Sequence, residues 1–300
     1  MKPCFVAIVG PACVGLLLPC AAAEVSTQGG ALTIRSGERP VLEYLSVESP
    51  LKPYVRQLFT PSGINVVRDQ VPDHIHHHGL MFAWKVDGVD FWGEAKGAGS
   101  ELGRGCSARD SQIDQKLDWV GGNNRELLLV ERRRIAVERS SDLAAHLVTW
   151  QATFRTPPAK DSVTITGAHY HGLAMRFLKT MDAAGAFVNS ENKAGDIVRG
   201  EERLVEARWC AYTAAVEGKP VTIALFDGPG NPRPATFFTM ARPFAYLAVT
   251  LAVHKQPLNI ENQKPLTLTY GVAVWDGKIG AGRIDRLYRA WRESLTVAPR

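Results

Sequence analysis

The feature that most constrains this chain is the recurrence of short apolar or alternating runs from one end to the other. They read "ALTIR" from 31, "VLEYLS" from 41, "GLMFAWKV" from 79, "ELLLVERRRIAV" from 126, "HLVTWQATF" from 146 and "SVTIT" from 162. They continue with "GLAMRFL" from 172, "ARWCAYTAAV" from 207, "PVTIALF" from 220, "YLAVTLAV" from 246 and "LTLTYGVAVW" from 266. Nearly all are bounded by Gly, Pro, Asn or Asp. Strand side chains alternate between two faces, so such runs make strands and their boundaries make turns. About a dozen strands without a linker or a repeat predict an all-β fold, one large antiparallel β-sandwich over residues 24–300. Only the end departs from this pattern. Ile284, Leu287, Tyr288, Trp291 and Leu295 recur at helical spacing, with Arg283, Arg286, Arg289 and Arg292 largely on other faces, so a C-terminal helix should pack on a sheet.

Residues 1–23 have the layout of a secretory signal peptide: Lys2, an apolar run from Phe5 to Leu18, and small residues at Ala21, Ala22 and Ala23. A membrane span needs about 20 apolar residues, and neither this run nor any later one reaches that length. "LLLPC" approaches a lipoprotein box, but Pro19 stands where a small residue should precede Cys20, so soluble export to the periplasm or the medium is expected. The charge balance, 35 basic against 30 acidic residues, carries no Lys/Arg-rich block and does not point to nucleic acid. The densest basic run, "ERRRIAV" from 131, reads as the solvated face of a strand. Cys106 and Cys210 lie beyond the leader and would meet an oxidising compartment. Whether they pair is left open by the sequence.

Against this background the histidines are conspicuous. "VPDHIHHHGLMFAWKV" from 71 places His74, His76, His77 and His78 just before a strand, and "HYHGLAMRF" from 169 places His169 and His171 in the same relation to another, out of eight histidines in all. On a strand, His74, His76 and His78 would share one face and His77 the other. Both segments run His-x-His, then Gly-Leu, then apolar, which predicts that His74 and His76 meet His169 and His171 at one rim. Two chemistries suit such a set and both stay open. Three imidazoles, with His74, His76 and His171 the favoured trio, would hold zinc or a similar divalent metal with a free position. Alternatively, pairs of imidazoles act as general acid and base without a metal. Hydrogen bonding of loop backbones is the plain structural reading.

Carboxylates and aromatics accompany them. Asp73 precedes the cluster; Asp87-Gly88 reads as a hairpin turn; Asp90 and Glu94 flank Phe91 and Trp92. Rings beside carboxylates suit a sugar, whose C–H face stacks while its hydroxyls find acceptors, although Trp84 and Trp92 are equally well read as core. The loop "FDGPGNPRPATFF" from 226 would hold Arg233, beside Asn231, towards an anionic group or simply form a stiff turn. No nucleophile elbow, P-loop or dinucleotide fingerprint is present.

These segments resemble the exported bacterial proteins labelled PmoA-like. That pattern runs Asp-His-Pro-His-His-Arg-Gly before a strand and Asp-Phe-Trp after it; here Asp73, His74, His76, His77 and Gly79 match, then Asp90, Phe91 and Trp92. "YHGLAMRF" at 170, "DGPGNP" at 227 and "YGVAVWDG" at 270 extend the likeness over most of residues 40–295. Ile75 replaces the proline, His78 the arginine, and Gly228 a frequent histidine. The resemblance implies a galactose-mutarotase-like supersandwich in which histidines act on a sugar ring, and its label is a name rather than an activity. The resulting expectation is an exported carbohydrate-acting enzyme of epimerase, lyase or hydrolase type, taking a small sugar or an oligosaccharide. His74, His76, His77, His169, His171, Asp73 and Glu94 would be catalytic; Trp84, Asp90, Trp92, Tyr170, Arg176, Asn231 and Arg233 would hold the substrate. The alternative is a non-catalytic glycan-binding or structural sandwich.

Overall fold

The computed structural model describes residues 23–28, 30–47, 51–138, 144–182 and 184–297. The leader expected over residues 1–23 therefore lies outside the described residues, save Ala23. Two large sheets face one another, and every described strand pair is antiparallel. The first sheet runs, in spatial order, Ala23–Gln28, Ala31–Ser36, Arg39–Leu45, Tyr54–Leu58, Leu80–Ala83, Gly172–Arg176, Tyr246–Thr250, Thr236–Met240, Glu202–Glu206 and Asp196–Arg199. The second runs Ala186–Asn189, Trp209–Val216, Lys219–Asp227, Leu266–Asp276, His146–Arg155, Leu127–Val137, Gln112–Val120 and Ser100–Arg109. A small sheet joins Leu258–Glu261, Ser162–Thr166, Lys85–Val86 and Val89–Asp90. The last pair closes through Asp87 and Gly88 at φ +48° and +83°, the left-handed pair that a two-residue hairpin needs.

Inward residues of the two sheets form one core, in which Phe82, Trp84, Trp119 and Phe154 contact one another edge to face or stacked. The expected C-terminal helix is present as Ala281–Val297 and lies on the outer side of the second sheet. There Ile284, Leu287, Tyr288 and Trp291 pack on Leu147, Trp209, Phe226 and Trp275, with Leu295 at the margin. That explains the fully buried stretches in Lys219–Asp227 and Leu266–Asp276: one face meets the sandwich and the other the helix.

One expectation needs correction here, and one open question is answered. "ERRRIAV" is solvated at Arg132 and Arg134 only, because strand alternation turns Arg133 inward. Arg133 forks onto Glu131 (2.7 and 2.9 Å), bonds Glu101 (2.8 Å) and the Pro53 carbonyl (2.9 Å), and stacks on Trp150. Two buried carboxylates thus share one guanidinium, and burial pushes Glu101 upward despite the attraction of Arg133. Cys106 and Cys210, left open as a pair, are both free: one is exposed on Ser100–Arg109, the other buried on Trp209–Val216.

Candidate functional site

The histidine loop is not a strand. His74 N–H donates to the Val71 carbonyl (3.0 Å) and His77 N–H to that of His74 (2.8 Å), two successive tight turns. Turns abolish the two-residue alternation, so the expected grouping of His74, His76 and His78 does not form. Instead the rings of His74 and His77 stack at 4.5 Å, and His76 meets them edge-on at 5.7 and 4.6 Å. His78 points the other way, into the protein.

Both histidine segments lead into glycine for a packing reason. A Cβ on Gly79 would stand 2.4 Å from the Val55 carbonyl oxygen, and one on Gly172 2.2 Å from that of Val249. The shared His-x-His-Gly-Leu step therefore marks close approach to a neighbouring strand, and the two clusters still come near each other, His76 close enough for its charge to act on His171. Leu80–Ala83 and Gly172–Arg176 are direct antiparallel partners, with Leu80 opposite Met175 and Ala83 opposite Gly172. Their starts lie at opposite ends, so the first cluster adjoins Arg176 and the second adjoins Trp92.

The floor between them is the outer face of the first sheet. Cross-strand partners share a face; Arg176, Tyr246 and Met240 make one row, and Ala174, Ala248 and Phe238 the next. Above this floor is a cavity of about 410 Å³ walled by His74, His76 and His77 on one side and by Tyr170 and Glu202 on the other, with Phe244 and Arg242 at its edge. A larger concavity, about 620 Å³, lies on the outer face of the second sheet around Arg132. Half of its charged lining, Arg104, Arg134 and Asp114, is spent in the surface pairs Arg104–Asp118 and Arg134–Asp114, and it has no comparable convergence of imidazole, carboxylate and ring.

Each wall is held from behind. Arg176, 1% exposed, donates to Asp73 (3.0 Å), lies on Phe244 and reaches His77 Nδ1 (3.4 Å). A guanidinium only donates, so Nδ1 of His77 accepts and the ring proton sits on Nε2. Burial, then the charges of His76, His74 and Arg176, hold His77 down at about 2, so it is a neutral donor at ordinary pH. His76 is also lowered, by burial and then by His74 and Lys52. Burial raises Asp73, but its bond to His74 and the charge of Arg176 outweigh that and hold it at about 2. On the opposite wall Glu202 accepts from His169 Nε2 (3.1 Å) and from the exposed Arg199 (2.6 Å). His171 is buried, stacked on Trp92 at 4.7 Å, and lowered to about 3 by burial and by the charges of Lys85 and His169.

The expected site residues thus divide. His74, His76, His77 and Tyr170 line the cavity; Asp73, Arg176 and His169 hold its walls; and His171 and Trp92 form the packing behind Tyr170. Trp84 is fully buried in the core and is no sugar platform. Asp90 accepts from the Trp92 and Gly93 backbone N–H groups (3.1 and 3.3 Å), fixing a turn. Asn231 clips Asp227 to Thr269, and Arg233 donates to the carbonyls of Leu251, Gln256 and Pro257, so that loop is a stiff turn and not an anion clamp. Among the described residues no three His, Cys, Asp or Glu side chains are grouped to hold a metal ion. The trio His74, His76 and His171 is accordingly not grouped as a ligand set. Glu202, Phe238, Phe244 and Tyr246 escaped the sequence reading. The Pro-bounded "ARPFAY" from 241 was the one available signal; nothing local marks Glu202.

His78 builds a separate network. Fully buried and stacked on Tyr54, it donates from Nδ1 to Asp69 (2.7 Å) and from Nε2 to Glu94 (2.6 Å). Lys52 also reaches Glu94 (3.3 Å), and the Tyr54 hydroxyl caps Asp69 (2.7 Å). Burial lowers His78, but the bonds to two carboxylates raise it further than burial lowers it; with an acceptor-only carboxylate on each ring nitrogen, both nitrogens carry protons and the ring is an imidazolium.

Residues 31–289 match the model described as a family of unknown function, DUF6807. No curated protein matches the chain. Among solved structures, the GH36 α-galactosidase AgaA from Geobacillus stearothermophilus is similar at 10% identity and TM-score 0.47, over 86% of this chain and 41% of that one. A galactose mutarotase related enzyme from Lactobacillus acidophilus is similar at 6% identity and TM-score 0.38, over 86% of this chain and 98% of that one. This chain thus spans about two-fifths of the α-galactosidase it matches. No helix of the described residues is long and apolar enough to cross a membrane.

Proposed function

This chain belongs to the family of unknown function DUF6807, and we propose that its histidine-walled cavity binds a carbohydrate and acts on it by metal-free acid–base chemistry. The observation that carries the reading is the cavity itself: imidazoles face a carboxylate across a floor of Phe238, Met240 and Tyr246. A sugar ring presents an apolar face to such a floor and hydroxyls to such walls. His76 and Glu202 are the proton-transfer pair, with His74 beside them. Neutral His77 donates from Nε2 to a substrate oxygen, while Arg176 and His169 position His77 and Glu202. Epimerisation, elimination and glycosidic cleavage all begin with such a transfer. Export to the periplasm or medium belongs to the same proposal, supported by the leader-like residues 1–23 and by the PmoA-like motifs.

A second reading, a glycan-binding module, is favoured by the neutrality of His77 and His171, which are held well below the usual imidazole range by burial. One experiment separates the two. A broad sugar panel is followed by proton NMR in D2O with wild type, His76→Ala and Glu202→Gln. An enzyme converts or exchanges at least one sugar, and each variant loses about 10²–10⁴-fold in rate while still binding. Binding without conversion by wild type would replace the enzyme reading with the module. A panel neither bound nor altered would reject both, and stoichiometric transition metal in untagged protein would reject the metal-free chemistry.

A further inference from the structure

The tip of the histidine loop is a partition. His74 and His76 line the cavity described above, while Ile75 between them lines a second cavity, also about 410 Å³, with Glu94, Ala95, Ser100 and Arg125. Ile75 is 59% exposed, a large apolar side chain standing in water at the divide. The second cavity has a built polar wall. Glu94, its side chain only 4% exposed, is pinned through one oxygen, Oε1, by Lys52 and by the Asp69-backed His78. No described residue donates to its other oxygen. Removing four charged groups from water is expensive, and a network whose last member keeps a free acceptor at a cavity is more than a packing device. The wall beside it carries small residues, Gly97, Ala98 and Gly122, whose backbones pack so closely that a Cβ on Gly122 would stand 2.0 Å from the Ala98 carbonyl oxygen. Carbonyls and a carboxylate accept hydroxyl hydrogens. Lys52 and Glu94 are also near enough for their charges to act on His76, the shared wall.

We propose that the two cavities are subsites of one groove, so that the ligand is an oligosaccharide lying across the loop tip, with one unit over Tyr246 and the next against Ile75 with its hydroxyl on Glu94. This rests on the carbohydrate reading of the first cavity and narrows it from sugars in general to linked ones. The loop tip then faces the linkage between the two units.

The test is calorimetric titration with matched mono-, di- and trisaccharides of each sugar that wild type binds. Wild type should bind the longer ligands at least about tenfold more tightly than the monosaccharide, or ~1.4 kcal/mol. Ala95→Trp places a ring from an exposed position into the second cavity; it should abolish that gain and leave the monosaccharide within about twofold. Glu94→Gln, which keeps an acceptor for Lys52 and His78, should lose most of the gain. Equal affinity for all lengths in wild type would overturn the groove while leaving the carbohydrate reading standing. So would an Ala95→Trp protein that retains the gain or weakens every length alike. If no sugar of any length binds, both readings fall.

Discussion

Replacing His78 with alanine strips two buried carboxylates of their shared cation. Each lost bond is charge-assisted, worth about 1.5–3 kcal/mol, and removing one member of a buried ionic set typically costs ~3–5 kcal/mol. Glu94 keeps Lys52 and Asp69 keeps Tyr54, so about 4 kcal/mol near neutral pH is expected, towards the middle of that range. With an m-value of about 3 kcal/mol/M, the urea midpoint falls by roughly 1.3 M. The pH dependence has a definite sign. His78 is raised in the fold, so the stability it contributes is full below its unfolded value of about 6.5 and drains as pH rises through the folded value. The deficit of His78→Ala should therefore shrink in alkali. His78→Arg should recover more than half of the loss, since a guanidinium also serves two carboxylates, and a Glu94→Gln background should reduce the cost of His78→Ala. Equilibrium urea unfolding of the five proteins, wild type, the three single variants and the double variant, decides the matter. A loss below about 1 kcal/mol, or full additivity with Glu94→Gln, would refute the network as an energetic unit.

Four further outcomes are expected. His77 and His171 are held at about 2 and 3, below their unfolded value, so acidification from pH 6.5 should cost about 1.4 kcal/mol per pH unit for each. His171→Phe should remove that much of the slope in urea unfolding, and an unchanged slope would contradict a buried neutral His171. Glu101→Gln, the neutral isostere of the carboxyl that burial raises, should leave stability at pH 8 within about 1 kcal/mol or increase it. Arg133→Met should cost ~3–5 kcal/mol by denaturation, because it strands Glu101 and Glu131. Arg233→Ala should lower stability by about 1 kcal/mol through its lost carbonyl bonds and leave sugar binding and conversion unchanged; lost binding would return that loop to the site.

The architecture was legible because its determinants are local. Alternation, turn residues and the Ile284–Trp291 stripe each state their partner type, and the sandwich with its terminal helix follows. The site was legible only in part. The histidine cluster announced itself, but strand parity was the wrong ruler for His74–His78, since two successive turns bring His77 to His74 and send His78 inward. Likeness between the two His-x-His-Gly segments pointed to one rim; the antiparallel pairing of Leu80–Ala83 with Gly172–Arg176 sets their strand starts at opposite ends, and the loops reach one cavity from its two sides. That register is a tertiary fact with no trace in either segment. Glu202 reaches the cavity because Glu202–Glu206 borders Thr236–Met240 far along the chain, and Arg133 turns inward by strand parity alone. Residue type marked the chemistry; pairing decided where it went.

The central claim is that sugar contacts the wall of His74, His76 and His77. Its most direct test is histidine NMR, following the Cε1–H resonances of all eight histidines while a sugar from the panel is titrated in. The account predicts that the resonances of His74, His76 and His77 move with the binding curve while that of His146, tied to the Phe59 carbonyl at 2.8 Å on another part of the fold, stays still. Saturable sugar binding that leaves those three resonances unmoved would contradict it.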